Sequence, residues 1–333
     1  MQYTLEITTR IGCSNMCEYC PQDLLIKTYK KNIHNKRLTK NYDDAGDKKW
    51  LEKLIIHEYT QKDKNRKTLM SLDDFKTALS TVPPEVDIHF AGYTEAFENP
   101  ECIDMVEHSV KKGHRTGVNT TLVGVKKSDL DRLSKLTFKH FHVHLPSANY
   151  FENIGRNSAK IQQETGKIIS NDYLEMIDYV LQYSNLSNFH THSAPGKELH
   201  KEIEEYAGDR IRKAGYRNRG LCSRAGNLGK MTGEALWKDN WCHRIIQNVL
   251  LPDGTVQLCC QDYGLEEPLG NLLHMDYYEI FESETFKLVM AGKSAICQRC
   301  DDGVAVPNDM KKHLASMQHH EDEWRIIKNR RKK

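Results

Sequence analysis

The chain has 333 residues, 38% hydrophobic and 28% charged, with a formal charge of +2. That length suits about two domains, or one large barrel with an appendage. The near-neutral charge excludes a strong nucleic-acid- or membrane-directed field, and no run approaches the ~20 apolar residues of a membrane span.

Strands and helices alternate along the chain. Residues 2–9 alternate polar and apolar as a strand does. A Lys- and Asn-rich insertion over 23–66 then interrupts, with one short amphipathic piece around Trp50, Leu51, Leu54 and Ile55. Following a loop at a barrel rim, it reads as a lid or substrate contact, with a solvated insertion the equal alternative. Further strands are predicted at 86–92, 115–122, 140–146 and 188–193, and a sixth near Leu221. Helices are predicted between them, at Leu72 to Leu79, Ile103 to Lys112, Lys127 to Leu136, Asp172 to Leu181 and Glu202 to Ala214. This is an α/β pattern with a parallel sheet and outer helices. Six units make an incomplete barrel, not the closed eightfold one.

Side chains alternate faces along a strand. Phe141, Val143 and Leu145 oppose His140, His142 and His144, and Phe189 opposes His190 and His192. The apolar set should meet the helices and the histidines should line a polar lumen, which suits a polar substrate. His142, His144, His190 and His192 are the candidate bases there. Simple hydrogen bonding of these rings, or a four-histidine metal site, are the other readings.

Ten cysteines occur, and the opening MQYTLEITTR lacks the basic-then-apolar pattern of a secretory signal. A reducing, cytoplasmic setting without disulfides is the expectation. Cys13, Cys17 and Cys20, spaced C-x3-C-x2-C, directly follow the first strand. Three thiolates on a short loop hold three corners of a [4Fe–4S] cubane and leave one iron open to a small chelator. Tetrahedral zinc would want a fourth ligand that the loop does not offer, and a redox pair would leave Cys13 unexplained. A second group comprises Cys242, Cys259, Cys297 and Cys300, with Cys260 the rival of Cys259. A hairpin around Pro252-Asp253-Gly254 and a helical pattern from Tyr277 to Met290 separate its members. Four thiolates from a hairpin and a CxxC suit a fully ligated cubane or zinc equally. Cys102 and Cys222 read as small buried hydrophobes.

At the C-x3-C-x2-C loop the sequence resembles the radical S-adenosylmethionine (SAM) superfamily, over residues 1–230. The resemblance implies a partial (β/α)6 radical SAM barrel in which Cys13, Cys17 and Cys20 hold the cluster that SAM chelates. Tyr19 matches the aromatic position near the adenine. Phe90-Ala-Gly-Tyr-Thr-Glu95 resembles the family's glycine-rich turn, with Gly92 in place, Thr94 where a second glycine is common, and Glu95 at the acidic position toward the SAM ammonium. Asn119 and Thr120 match the strand end near the ribose. Ser223 and Arg224 match the sixth-strand segment, Arg224 facing the SAM carboxylate.

Cys242, Gly254 and Cys259 in C-x11-G-x4-C, then Leu269-Gly-Asn-Leu, then Cys297-Gln-Arg-Cys300, are similar to the auxiliary-cluster extension called SPASM. With no cysteine after Cys300, the match is to its shortened "twitch" form, with one auxiliary [4Fe–4S] cluster in a small domain at 231–310 and a basic helical or frayed tail at 311–333. The implied activity is reductive cleavage of SAM to a 5′-deoxyadenosyl radical and hydrogen abstraction from a sugar-like metabolite, ending in a two-electron oxidation or a rearrangement. A peptide- or protein-modifying maturase is the alternative. The implied partners are an electron donor such as flavodoxin or ferredoxin and a small polar metabolite or peptide; neither a membrane nor nucleic acid is expected. A non-catalytic zinc protein using the second cysteine group for assembly is a third class.

Overall fold

The computed structural model describes residues 2–15, 17–31, 67–148, 168–192, 198–219, 224–228 and 242–300. Six parallel strands follow one another in space as in sequence: β1 (Thr4–Ile7), β2 (Asp87–Phe90), β3 (Thr116–Thr120), β4 (His140–His144), β5 (Phe189–His192) and β6 (Tyr216–Arg219). The helices α1 (Gln22–Lys31), α2 (Leu72–Leu79), α3 (Cys102–Lys111), α4 (Lys127–Leu133), α5 (Asn171–Val180) and α6 (Lys201–Ala214) alternate with them. On the other side of β1, β7 (Gln247–Leu250) pairs in parallel, and β8 (Thr255–Gln257) and β9 (Pro268–Asn271) continue antiparallel. The cysteine-rich C-terminal region is thus joined to the barrel by the hydrogen bonds of one nine-stranded sheet.

Local chemistry accounts for the element ends. Ser71 caps α2 by accepting from Asp74 N, Asp73 and Asp74 occupy its first turn, and Phe75, Ala78 and Leu79 on one face are buried. Helix α6 stops at Gly215, whose φ of +131° is one a residue with a Cβ rarely adopts. The apolar strand faces behave as their alternation predicts: Leu5, Ile7, Ile88, Phe90, Val143 and Phe189 are fully inaccessible and join a single core with the helices. No helix among the described residues is long and apolar enough to cross a membrane.

Three differences from the sequence reading have physical causes. Residues 22–31, whose larger part was assigned to the insertion, form α1, with Leu25 and Tyr29 buried against Val249 and Leu251. The sixth strand is Tyr216–Arg219, earlier than Leu221, because its register pairs Arg219 with His192. The helical run from Tyr277 to Met290 breaks at Ser283, where ψ is 150°. The Ser283 hydroxyl donates to Ile280 O (2.8 Å) and accepts from Phe286 N (3.2 Å), ending a 3₁₀ turn (Tyr277–Glu282) and capping α7 (Glu284–Met290). The remainder of the insertion (32–66), Cys222, Ser223 and the 311–333 tail lie outside the described residues.

Candidate active site

The C-terminal ends of the strands converge on one pocket of about 200 Å³. It is lined by the first cysteine group and Tyr19, by Gly92 and Glu95 after β2, by Asn119 and Thr120 on β3, by His144 on β4, by His190 and His192 on β5, by Arg219 on β6, and by Arg224 and Tyr263. Of the residues singled out in the sequence for the SAM end of the site, all are brought together here except Ser223, which is not described.

The loop holding Cys13, Cys17 and Cys20 is tied down on several sides. A backbone bond from Cys20 N to Cys17 O (3.0 Å) closes its turn. Asn15 donates to Thr121 Oγ1 (2.8 Å), Ser14 N donates to Glu98 Oε1 (3.0 Å), and Gln22 Nε2 donates to Cys20 Sγ (3.3 Å). Burial pushes the Cys13 thiol up to about 12. Burial by itself keeps this thiol protonated. Three cysteines lining one pocket are a donor set that fits a metal cluster.

Gly92 has φ of +58°, and a Cβ there would collide with Thr8 Oγ1 and lie 3.0 Å from Thr8 N. The turn can pass this close to β1 only as glycine; Thr8 Oγ1 uses the proximity to accept from Tyr93 N (3.1 Å). Glu95, buried, is occupied by the protein. Its Oε1 accepts from Thr120 Oγ1 (2.8 Å) and Phe97 N (3.3 Å), and its Oε2 accepts from Thr121 N (2.6 Å) and Thr121 Oγ1 (2.8 Å). A carboxylate has about four acceptor sites, so these donors fill it. In this structure Glu95 ties the Gly92 turn to the end of β3.

The lumen is polar, as the strand alternation implies. Register places Asn119 beside His142, His144 beside His190, and His192 beside Arg219. Tyr19 OH lies 3.1 Å from His144 Nε2, and the Tyr19 ring packs 5.6 Å from that of His192. His142 Nδ1 is 3.2 Å from Asn119 Oδ1 and 3.4 Å from an Arg219 nitrogen. Burial, then neighbouring cationic groups, depress the histidine pKa values: His142 falls to about 4, and His190 lies well below its usual range. Both rings are neutral at pH 7. At the far end of the lumen, buried Asp87 is held by Arg115 (2.8 Å) and Lys139.

The second cysteine group assembles beside this pocket. Cys242, Cys297 and Cys300 pack against the core that contains Cys259, Cys260 packs with the cluster of Val249 and Tyr263 that Cys20 also joins, and Cys259 has both Cys260 and Cys297 as neighbours. Burial, then several other neighbours including Cys242 and Cys300, push the Cys297 thiol up to about 12. Neighbouring thiols of this kind suit a metal cluster. A Cys20–Tyr263–Tyr93–Cys259 chain bridges the two groups: Cys20 Sγ is 3.3 Å from Tyr263 OH, the tyrosine rings are 4.8 Å apart, and Tyr93 OH donates to Cys259 O (2.8 Å). Arg299, within the CxxC, donates to Ala225 O (3.0 Å) beside Arg224.

Sequence reasoning did not single out Tyr93, Tyr263 or Arg219. Arg219 had a usable signal, because Arg217 and Arg219 alternate on the last strand; Tyr263 had none, since its contact with Cys20 spans 243 positions.

Residues 242–301 match the family model described as an iron–sulfur cluster-binding domain, SPASM. Residues 242–301 are therefore a SPASM-type cluster-binding region, as the resemblance of the cysteine motif implied. No curated protein matches the chain. Among solved structures, BtrN in complex with AdoMet and 2-DOIA is 16% identical, over 91% of this chain and 94% of that one, with a TM-score of 0.49. Native anSMEcpe with bound AdoMet is 14% identical, over 90% and 88% of the two chains, at 0.42. Streptococcus suis SuiB bound to precursor peptide SuiA is 11% identical, over 90% and 70%, at 0.48. All three TM-scores lie below 0.5.

Proposed function

We propose that the chain is a radical SAM enzyme that oxidises or rearranges a polar substrate. The observation that carries this reading is the convergence of Cys13, Cys17 and Cys20 with Gly92, Asn119, Thr120 and Arg224 on one pocket that opens onto a histidine-lined lumen. In this reading Cys13, Cys17 and Cys20 hold the SAM-binding cluster, and Cys242, Cys259, Cys297 and Cys300 hold one auxiliary cluster. When bound, the first cluster and SAM together supply an electron and a 5′-deoxyadenosyl radical for hydrogen abstraction.

The chain's own residues position and protect. Tyr19 is held between His144 and His192 at the adenine end of the site. Arg224, which lines the pocket, would hold the carboxylate of SAM. Glu95 acts on the pocket through the turn and strand end that it joins. A two-electron oxidation also releases a proton, which one of His142, His144, His190 and His192 would accept, and a second electron, which the auxiliary cluster held by Cys242, Cys259, Cys297 and Cys300 would take up. The Tyr93–Tyr263 packing keeps the two cysteine sites in one rigid unit. A cytoplasmic, reducing setting suits the free thiols of both groups.

The test is anaerobic purification followed by incubation with SAM, dithionite and cell extract. About eight irons per chain are expected for two cubanes. Formation of 5′-deoxyadenosine should coincide with an extract metabolite or peptide losing two hydrogens. The Cys13→Ala, Cys17→Ala, Cys20→Ala triple variant should abolish cleavage and keep the auxiliary iron. Stoichiometric zinc without iron, or unchanged cleavage in the triple variant, refutes the reading.

A further inference from the structure

Among the described residues, the upper lumen contains a cation without a carboxylate partner. Arg219 is half-buried, and its guanidinium makes no ion pair among the described residues. The one carboxylate among the described residues lining the pocket is Glu95, and four protein donors fill it. Asp87 sits at the other end of the lumen and is already paired with Arg115 and Lys139. A half-buried guanidinium that no described carboxylate neutralises keeps its donors and charge available to an anionic ligand.

Histidine rings lie beside Arg219. His142 Nδ1 lies 3.4 Å away, His192 is its register partner, and the almost fully buried His190 has an Nδ1 with no hydrogen-bond partner. A planar guanidinium flanked by imidazoles matches the oxygens of a carboxylate or phosphate. Two guanidinium groups line the pocket, and the proposed function uses only Arg224, for SAM.

We infer that Arg219, flanked by His142 and His190, binds an oxyanion group of the substrate, a carboxylate or a phosphate ester. The substrate class is therefore an anionic metabolite or an acidic side chain, and not a neutral or cationic sugar. This deepens the proposed function and rests on it only for the identity of the cofactor beside the substrate.

The experiment is oxygen-free calorimetric titration of the clustered protein, preloaded with SAM, with inorganic phosphate and separately with acetate at low ionic strength. At least one probe should bind, and the tighter of the two identifies the group. Arg219→Gln should weaken that binding about tenfold or more, and Arg219→Lys by less, because a point charge replaces the fork. Circular dichroism of both variants checks the fold, and the Lys variant decides if Gln does not fold. Arg224→Gln should weaken SAM binding instead. No binding of either probe, binding insensitive to Arg219, or an equal loss of SAM affinity in Arg219→Gln overturns the inference. Failure of the radical reading shows separately: without iron at Cys13, Cys17 and Cys20, SAM cleavage is absent while anion binding at Arg219 still follows its own variants.

Discussion

Glu95 separates a structural tie from a ligand contact. Replacing it with Ala removes an acceptor from four buried donors, two of them backbone N–H groups of Phe97 and Thr121 that cannot turn elsewhere. Each unmade buried hydrogen bond costs about 1–3 kcal/mol. The two hydroxyls can re-aim. Part of the loss is offset because the variant no longer buries a carboxylate, whose pKa burial raises despite its hydrogen bonds. The expected net destabilisation is about 2–4 kcal/mol, a sizeable share of the ~5–15 kcal/mol that holds a domain. Glu95→Gln keeps the shape but turns an N–H toward donors, so it should lose roughly half as much. The assay is anaerobic thermal unfolding at a fixed scan rate, paired with equilibrium dialysis of SAM. A drop of about 4–8 °C for the Ala variant is expected, with SAM affinity falling in the same order as stability across the two variants. Unchanged stability in Glu95→Ala together with a large loss of SAM affinity would refute the tie and make Glu95 a direct partner of the ligand.

Gly92→Ala should destabilise the barrel by about 2–4 kcal/mol, since it combines a left-handed backbone with a collision at Thr8; chemical denaturation checks this, and a neutral result would mean that the turn moves freely. Cys259→Ser should lose the auxiliary iron, about half of the total, whereas Cys260→Ser should keep it, because their side chains pack into different clusters; iron and sulfide assays with electron paramagnetic resonance distinguish the two. Burial lowers His89 to about 3 and His140 to about 4, so the unfolded chain binds more protons than the folded one between those values and 6.5. Stability should therefore fall as pH drops from 6.5 toward 4, and a His89→Gln, His140→Gln double variant should flatten that slope in anaerobic urea titrations. An identical slope in the double variant would place the acid sensitivity elsewhere.

The sequence by itself determined the two cysteine groups, the order of the six parallel strands and the inward face of the histidines, because these depend on spacing and on a period of two that each strand carries within itself. Adjacent strand residues point apart, but Cys259 and Cys260 lie past the end of β8, in a turn, so strand alternation does not sort them. Only the tertiary structure decided the closure of Glu95 by Thr120 and Thr121 and the placing of Arg219 against His142. These contacts join segments 25, 26 and 77 positions apart. They are set by which strands adjoin and in what register, and by where the linking loops come down on the sheet. Local periodicity does not encode either.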